Sequence, residues 1–303
     1  MKLHPQMLSQ MRNGDGFIAA LDQSGGSTPK ALHTYGIEDS EYATNEEMFR
    51  LVHEMRVRLI TAPPFSGDKV LGAILFEKTM DGQASGRSVP SYLWEERGIV
   101  PFVKVDQGLE EERHSVQLLK PIPDLESLLA RATKKGVFGT KMRSVIANSD
   151  NTGIAMLVRQ QFDLGRQILS QGLVPIIEPE VLVTSPTKAH AESVLLEEVL
   201  RGLDHLPSEA QVIIKVSIPT HADTYLPLVE HPKVIRVVAL SGGYDRAEAC
   251  ERLSHNRGMI ASFLRALTED LRVGMSDVEF NKRLAGSVDE IYAASVYKAL
   301  NTV

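Results

Sequence analysis

At 303 residues, 43% apolar and 24% charged, the chain is long enough for a full hydrophobic core and exceeds the usual single-domain size except in folds such as α/β barrels. Its 33 basic and 39 acidic side chains give a formal charge of −6, which offers no global attraction to nucleic acid or to an anionic membrane. One cysteine, Cys250, leaves no intrachain disulfide framework and no thiolate metal cluster, and no stretch approaches the roughly 20 apolar residues that a membrane span requires. Met1-Lys2-Leu3-His4-Pro5-Gln6 leads into no signal-type apolar run, so the expectation is a cytoplasmic protein with neither a nucleic-acid nor a membrane partner.

From the amino terminus onward, short runs rich in Val, Ile, Leu and Phe alternate with longer segments of helical spacing, which argues for βα units and a parallel sheet. The first strand is predicted over 17–22 and is followed by Gln23-Ser24-Gly25-Gly26-Ser27-Thr28-Pro29, where Ser27 or Thr28 can cap a helix starting at Pro29. A helix over 45–60 leads to strands over 70–76 and 100–105, then a helix over 124–135 and a strand over 137–143. In the next helix, over 153–170, Ile154, Leu157, Val158, Phe162, Leu164, Ile168 and Leu169 recur mostly at steps of three and four, an amphipathic face that covers a sheet. A strand over 174–178, a helix over 193–206, strands over 211–217 and 234–240, a helix over 244–256 and a strand over 259–263 complete the alternation. Residues 277–300 read as one or two further helices. Eight strands with helical crossovers, no Pro/Ser-rich linker and no internal repeat predict one domain over 1–303. That domain is a (β/α)8 TIM barrel over about 15–270 with a C-terminal helical extension over about 271–303.

Buried strands of a parallel barrel should be almost continuously apolar, so charges near their carboxyl ends stand out. Asp22, Lys104, Lys141, Arg143, Glu178, Glu180 and Lys215 all fall late in the predicted strands, where active sites of this architecture are built. Residues two apart share a face, so Lys141 and Arg143 aim together, as do Glu178 and Glu180 if Pro179 leaves the strand extended. Any one of them reads most simply as a salt-bridged structural charge. Seven on five strands are harder to dismiss, and four cations against three carboxylates suit an anionic substrate.

Lys215, flanked by Ile213, Ile214 and Val216, is the candidate nucleophile. Burial and neighbouring cations favour the free amine, and only the free amine attacks a carbonyl. After the seventh strand, Ser241-Gly242-Gly243 offers backbone N–H groups where this fold recurrently binds phosphate, and Arg265 after the eighth strand can clamp the same group. The nine histidines, His114, His190 and His231 among them, show no ligand spacing at strand ends, so neither a metal site nor a cofactor is predicted.

Taken together, these segments resemble the class I fructose-1,6-bisphosphate aldolases, especially the shorter bacterial members, over about residues 10–270. The resemblance is carried by Gly16-Phe17-Ile18-Ala19-Ala20-Leu21-Asp22-Gln23-Ser24, Ile74-Leu75-Phe76-Glu77, Val103-Lys104-Val105-Asp106-Gln107-Gly108 and Lys141-Met142-Arg143. It continues through Val174-Pro175-Ile176-Ile177-Glu178-Pro179-Glu180, Ile214-Lys215, Leu240-Ser241-Gly242-Gly243 and Ser262-Phe263-Leu264-Arg265. It implies a Schiff base on Lys215, with Glu178 as general acid/base and Glu180 beside it. Asp22 then takes the proton of the C4 hydroxyl and Lys141 assists with charge. Lys104, Arg143, Ser241, Gly242, Gly243 and Arg265 would hold the phosphates of a sugar bisphosphate, with Ser24 and Ser27 as helpers.

Three departures stand out. Gln23 replaces the glutamate of many animal members, Leu264 replaces a glycine, and the chain ends in Val303 where animal members end in a tyrosine, which leaves open whether Tyr292 or Tyr297 substitutes. Tagatose 1,6-bisphosphate as substrate and a non-catalytic sugar-phosphate-binding barrel are the alternatives. A homo-oligomer is also open, by analogy with the family.

Overall fold

The computed structural model describes residues 4–23 and 27–299. Eight parallel strands follow one another around a barrel in chain order: β1 (Phe17–Leu21), β2 (Val70–Leu75), β3 (Val100–Lys104), β4 (Gly139–Ile146), β5 (Val174–Val181), β6 (Val212–Ser217), β7 (Val234–Leu240) and β8 (Met259–Ala261). The last strand is only three residues long, yet the ring still closes. Ser262 N donates to Ala239 O at 2.7 Å, extending the pairing of β8 with β7, and Ala20 N donates to Phe263 O at 3.2 Å, joining the segment just past β8 to β1.

The period of two along each strand sorts the side chains. Ile18, Ala20, Ile74, Phe102, Ile176, Ile213, Val238 and Ile260 fill the barrel interior, while Phe17, Ala19, Leu21, Met142, Ile177, Ile214 and Val216 face the surrounding helices. Helix α1 (Pro5–Asn13), started by the His4 ring accepting from Met7 N, pushes Met7 and Met11 into the same interior cluster at the amino ends of the strands. Arg236 on β7 holds it there by donating to the carbonyls of Met11, Arg12 and Gly14.

Around the barrel run α2 (Ser27–Tyr35), α3 (Asn45–Thr61), α4 (Leu125–Lys134), α5 (Asn151–Ser170), α6 (Lys188–Asp204), α7 (Arg246–Ser254) and α8 (Asp277–Val296). Side-chain caps set several starts: Thr44 and Glu47 form a capping box on α3, and Asp150 accepts from Gly153 N at 2.8 Å on α5. Among the described residues no helix is long and apolar enough to cross a membrane.

Several expected boundaries shift. Asp22, Phe76 and Val105 fall just outside their strands, and β8 stops at Ala261 instead of running to 263. β4 and β5 are longer than expected and pair residue for residue from Gly139↔Val174 to Ile146↔Val181, with Pro179 kept extended. Lys141 is therefore a mid-strand residue instead of a strand end, and Glu178 and Glu180 do share a face. Helix α2 begins at Ser27, before Pro29, and the buried Thr28 hydroxyl has no partner among the described residues, so Thr28 is not a cap. α6 starts at Lys188, five residues earlier than expected, and the final segment is a single helix.

Gly139 makes room in this interior. A Cβ there would lie 2.2 Å from Val174 O and 2.9 Å from the Phe102 ring, which pairs with it in register one layer below Lys104 and Lys141. Gly139→Ala is expected to destabilise the fold by about 1–3 kcal/mol in urea unfolding, because neither the backbone oxygen nor the packed ring can withdraw. An unchanged midpoint would show that the barrel relaxes freely at this level.

Candidate active site

Above the apolar layers the same inward alternation continues with charge. Asp22, Lys104, Lys141, Arg143, Glu178, Glu180, Lys215, Ser241, Gly242, Gly243 and Arg265 all line one cavity of about 700 Å³ at the carboxyl ends of the strands. Its described lining carries seven cations (Lys30, Arg56, Lys104, Lys141, Arg143, Lys215, Arg265) and five carboxylates (Asp22, Asp106, Glu178, Glu180, Glu269), so it is net positive in a chain of charge −6. The expected count of four against three was incomplete, but its sign holds.

The centre is a buried chain of opposite charges. Glu178 sits between two lysines, with Oε1 at 3.1 Å from Lys215 Nζ and Oε2 at 2.9 Å from Lys141 Nζ; Lys141 Nζ in turn lies 2.6 Å from Asp22 Oδ2. Lys215 is 3% exposed and Glu178 2%. Gln161 on α5 fixes the Glu178 backbone, its amide donating to Glu178 O at 3.1 Å and its carbonyl accepting from Glu178 N at 2.9 Å.

Burial alone would raise the Asp22 carboxyl, but Lys141, Lys215 and Lys104 outweigh it and hold that group well below the ordinary carboxylate range. Burial likewise opposes the Lys141 ammonium, yet Asp22, Glu178 and Asp106 push it well above the usual lysine value. The pair is locked as carboxylate and ammonium.

A second array lies beside the first. Lys104 Nζ contacts Asp106 Oδ1 at 2.6 Å, Asp106 Oδ2 accepts from Arg143 N at 3.2 Å, and Arg143 Nη1 reaches Glu180 Oε2 at 2.6 Å. The Arg143 side chain is 44% exposed, so its guanidinium faces the open mouth.

On the other wall, Gly242 and Gly243 adopt φ of +62° and +125°, and a Cβ on Gly242 would lie 2.5 Å from Val183 Cγ1. Arg246, the first residue of α7, donates to Ala266 O at 3.1 Å, which ties this loop to the short helix Arg265–Thr268. Ser24 lies outside the described residues, and for Ser27 only its place at the start of α2 is described.

Asp106, Arg56 and Lys30 were not singled out from the sequence. Asp106 follows Lys104 by two and so shares its face. Arg56 occupies the buried stripe of α3 with Met48, Val52, Leu59 and Ile60, an arginine at an apolar position, and that was a readable signal. Lys30 carried no local signal.

The model for the class-I fructose-bisphosphate aldolase family matches residues 4–218, which span the chain from α1 through β6 and Lys215. The chain belongs to that family. Membership places its chemistry among the aldolases. Among solved structures it resembles the fructose-bisphosphate aldolase of Plasmodium falciparum at 22% identity and a TM-score of 0.76, covering 99% of this chain and 98% of that one. A Corynebacterium glutamicum protein is similar at 13% identity and a TM-score of 0.55, over 96% and 92% of the two chains. At such identities the likeness concerns the barrel alone. The loops of Ser241 and Arg265 lie beyond the residues matched to the family, and it is the closure of the barrel that brings them to the cavity.

Neither Tyr292 nor Tyr297 lines this cavity. Tyr292 stacks edge-on with Tyr297 at 6.1 Å and lies 5.8 Å from Lys69 Nζ, at the amino end of β2, and Tyr297 is 67% exposed. Gln23 and Leu264 both line the cavity, and the Leu264 side chain packs against both apolar clusters.

Proposed function

We propose that this chain is a metal-independent class I fructose-1,6-bisphosphate aldolase. On this reading it reversibly cleaves the ketose to dihydroxyacetone phosphate and glyceraldehyde 3-phosphate through a Schiff base on Lys215, as a step of glycolysis and gluconeogenesis. The observation that carries the reading is the 3.1 Å contact between Lys215 Nζ and Glu178 Oε1 inside a cavity where both are almost fully buried. A binder of sugar phosphates needs no desolvated amine with a carboxylate against it.

Glu178 takes a proton from the amine as Lys215 adds to the C2 carbonyl, and returns it to the carbinolamine oxygen so that water leaves and the iminium forms. Asp22, held as a carboxylate, accepts the C4 hydroxyl proton. The C3–C4 bond breaks, its electron pair passes into the iminium to give an enamine, and the aldehyde departs. Protonation at C3 and hydrolysis then release the second product. Lys141 keeps Asp22 charged and contacts Glu178, while Glu180 orients Arg143. Lys104, Arg143, Ser241, Gly242, Gly243 and Arg265 hold the phosphates, with Ser24 and Ser27 assisting.

Every inward carboxylate already faces a lysine or arginine, which favours charge-paired proton transfer over metal ligation. The family supports a setting in the cytoplasm. The barrel and its carboxyl-terminal helix support one domain, with a homo-oligomer open to test by light scattering.

Borohydride added in the presence of dihydroxyacetone phosphate is expected to trap a reduced adduct on the peptide containing Lys215, and cleavage is expected to persist in EDTA. Active protein that yields no adduct would defeat the imine route. Fructose and tagatose bisphosphates assayed side by side test the sugar preference.

A further inference from the structure

Arg56 belongs to neither the charged chain at Lys215 nor the phosphate loops, yet it lines the same cavity and is 3% exposed. It reaches there from the helix before β2. Its Nη1 donates to the Thr79 hydroxyl at 2.8 Å, on the short helix Glu77–Asp81 after that strand, and its Nη2 donates to Gln23 O at 2.6 Å. Buried Nε has no partner among the described residues. A buried arginine is costly unless its contacts are needed, and replacing it by an apolar side chain of similar volume is often neutral for stability. Its retention at an apolar stripe position points to a task in the site.

We propose that Arg56 is a positioning residue for Asp22, pinning the carbonyl of the next residue so that the carboxylate stays at the end of β1 in line with Lys141. Two features support it. Asp22 lies one residue past β1, outside the strand ladder, and the Gln23 carbonyl is the first backbone carbonyl beyond its own residue. Burial pushes the Arg56 guanidinium down to about 10 while the Asp22 carboxylate acts the other way, so Arg56 lies within electrostatic reach of Asp22. Arg56 touches neither Lys215 nor Glu178, and it acts on the bond-breaking step alone.

The assignment rests on the Schiff-base reading, and the step it affects separates the two. Arg56→Met is expected to form the borohydride-trapped adduct with dihydroxyacetone phosphate at the wild-type level. Its kcat for cleavage should fall roughly 10- to 100-fold, the scale of a misplaced catalytic group, with KM changed less than about twofold. Arg56→Lys, which can still donate to Gln23 O, is expected to recover part of that loss. Wild-type kcat in folded Arg56→Met would overturn the proposal, as would equal losses in trapping and cleavage, or failure of both variants to fold, because each outcome makes the residue's role structural or nil. Absence of the adduct in wild type would sink the Schiff-base reading instead, and the kcat and KM of the two variants would still decide whether Arg56 positions Asp22.

Discussion

Lys215→Met is expected to lose at least about 10⁴-fold in kcat and to give no borohydride adduct, because the group that forms the covalent intermediate is gone. Its fold should survive. Glu178 keeps Lys141 at 2.9 Å, so no carboxylate is left without a cation, and methionine matches the length of the aliphatic stem, which shares its strand face with Ile213 and pairs in register with Val238. Lys215→Arg is the sharper control. It preserves the positive charge against Glu178, but a guanidinium stays protonated and cannot add to a carbonyl, so this variant should be equally inactive. Near-wild-type turnover of Lys215→Arg in a coupled triose phosphate assay would show that the charge and not the amine matters, and the same result for Lys215→Met would show that neither does.

Lys141→Met should act on stability first. Lys141 is the cation nearest to both Asp22 and Glu178, so its removal exposes two buried carboxylates to each other and should cost about 3–5 kcal/mol at pH 7. The pH dependence follows from the direction of the Asp22 shift. In wild type the folded carboxyl is depressed, so its stabilisation is present above the ordinary value of 3.8 and is lost only as pH falls through the lower folded value. In the variant, burial is no longer opposed by the closest ammonium, and the folded carboxyl moves upward. Its charge then weakens the fold at neutral pH and is relieved by protonation as pH falls. The gap between the two proteins, read by denaturant unfolding from pH 7 to below 4, is expected to narrow towards acid. A gap that does not change with pH would remove Lys141 as the group that keeps Asp22 ionised.

Much of this site could be read from the chain because a parallel barrel makes charge conspicuous. When a strand is buried on both faces, a lysine such as Lys215 amid Ile213, Ile214 and Val216 has no solvent to turn to, and period two tells which neighbours share its side. The same rule, carried one step past the end of β3, would have added Asp106 to Lys104. Arg56 was missed for a different reason. Its meaning comes from Gln23 O, 33 positions away, and helical spacing reveals the anomaly without naming the partner. Strand ends were least legible where pairing outlasts apolar content: β4 and β5 run on together through Arg143, Glu178 and Glu180, since backbone ladders are indifferent to side-chain polarity. Thr28 shows the reverse error, a hydroxyl well placed by local rules for a cap and then enclosed by the fold without a partner among the described residues.

The stopper formed by Met7 and Met11 governs traffic through the enzyme proposed above. With Met7 and Met11 buried in the apolar cluster at the amino ends of the strands, substrate is expected to reach Lys215 from the carboxyl side, where the Arg143 side chain is exposed. On the proposed Schiff-base route the aldehyde fragment carries no bond to Lys215, so glyceraldehyde 3-phosphate would depart first. In the synthetic direction the same route would require dihydroxyacetone phosphate to be seated before its partner.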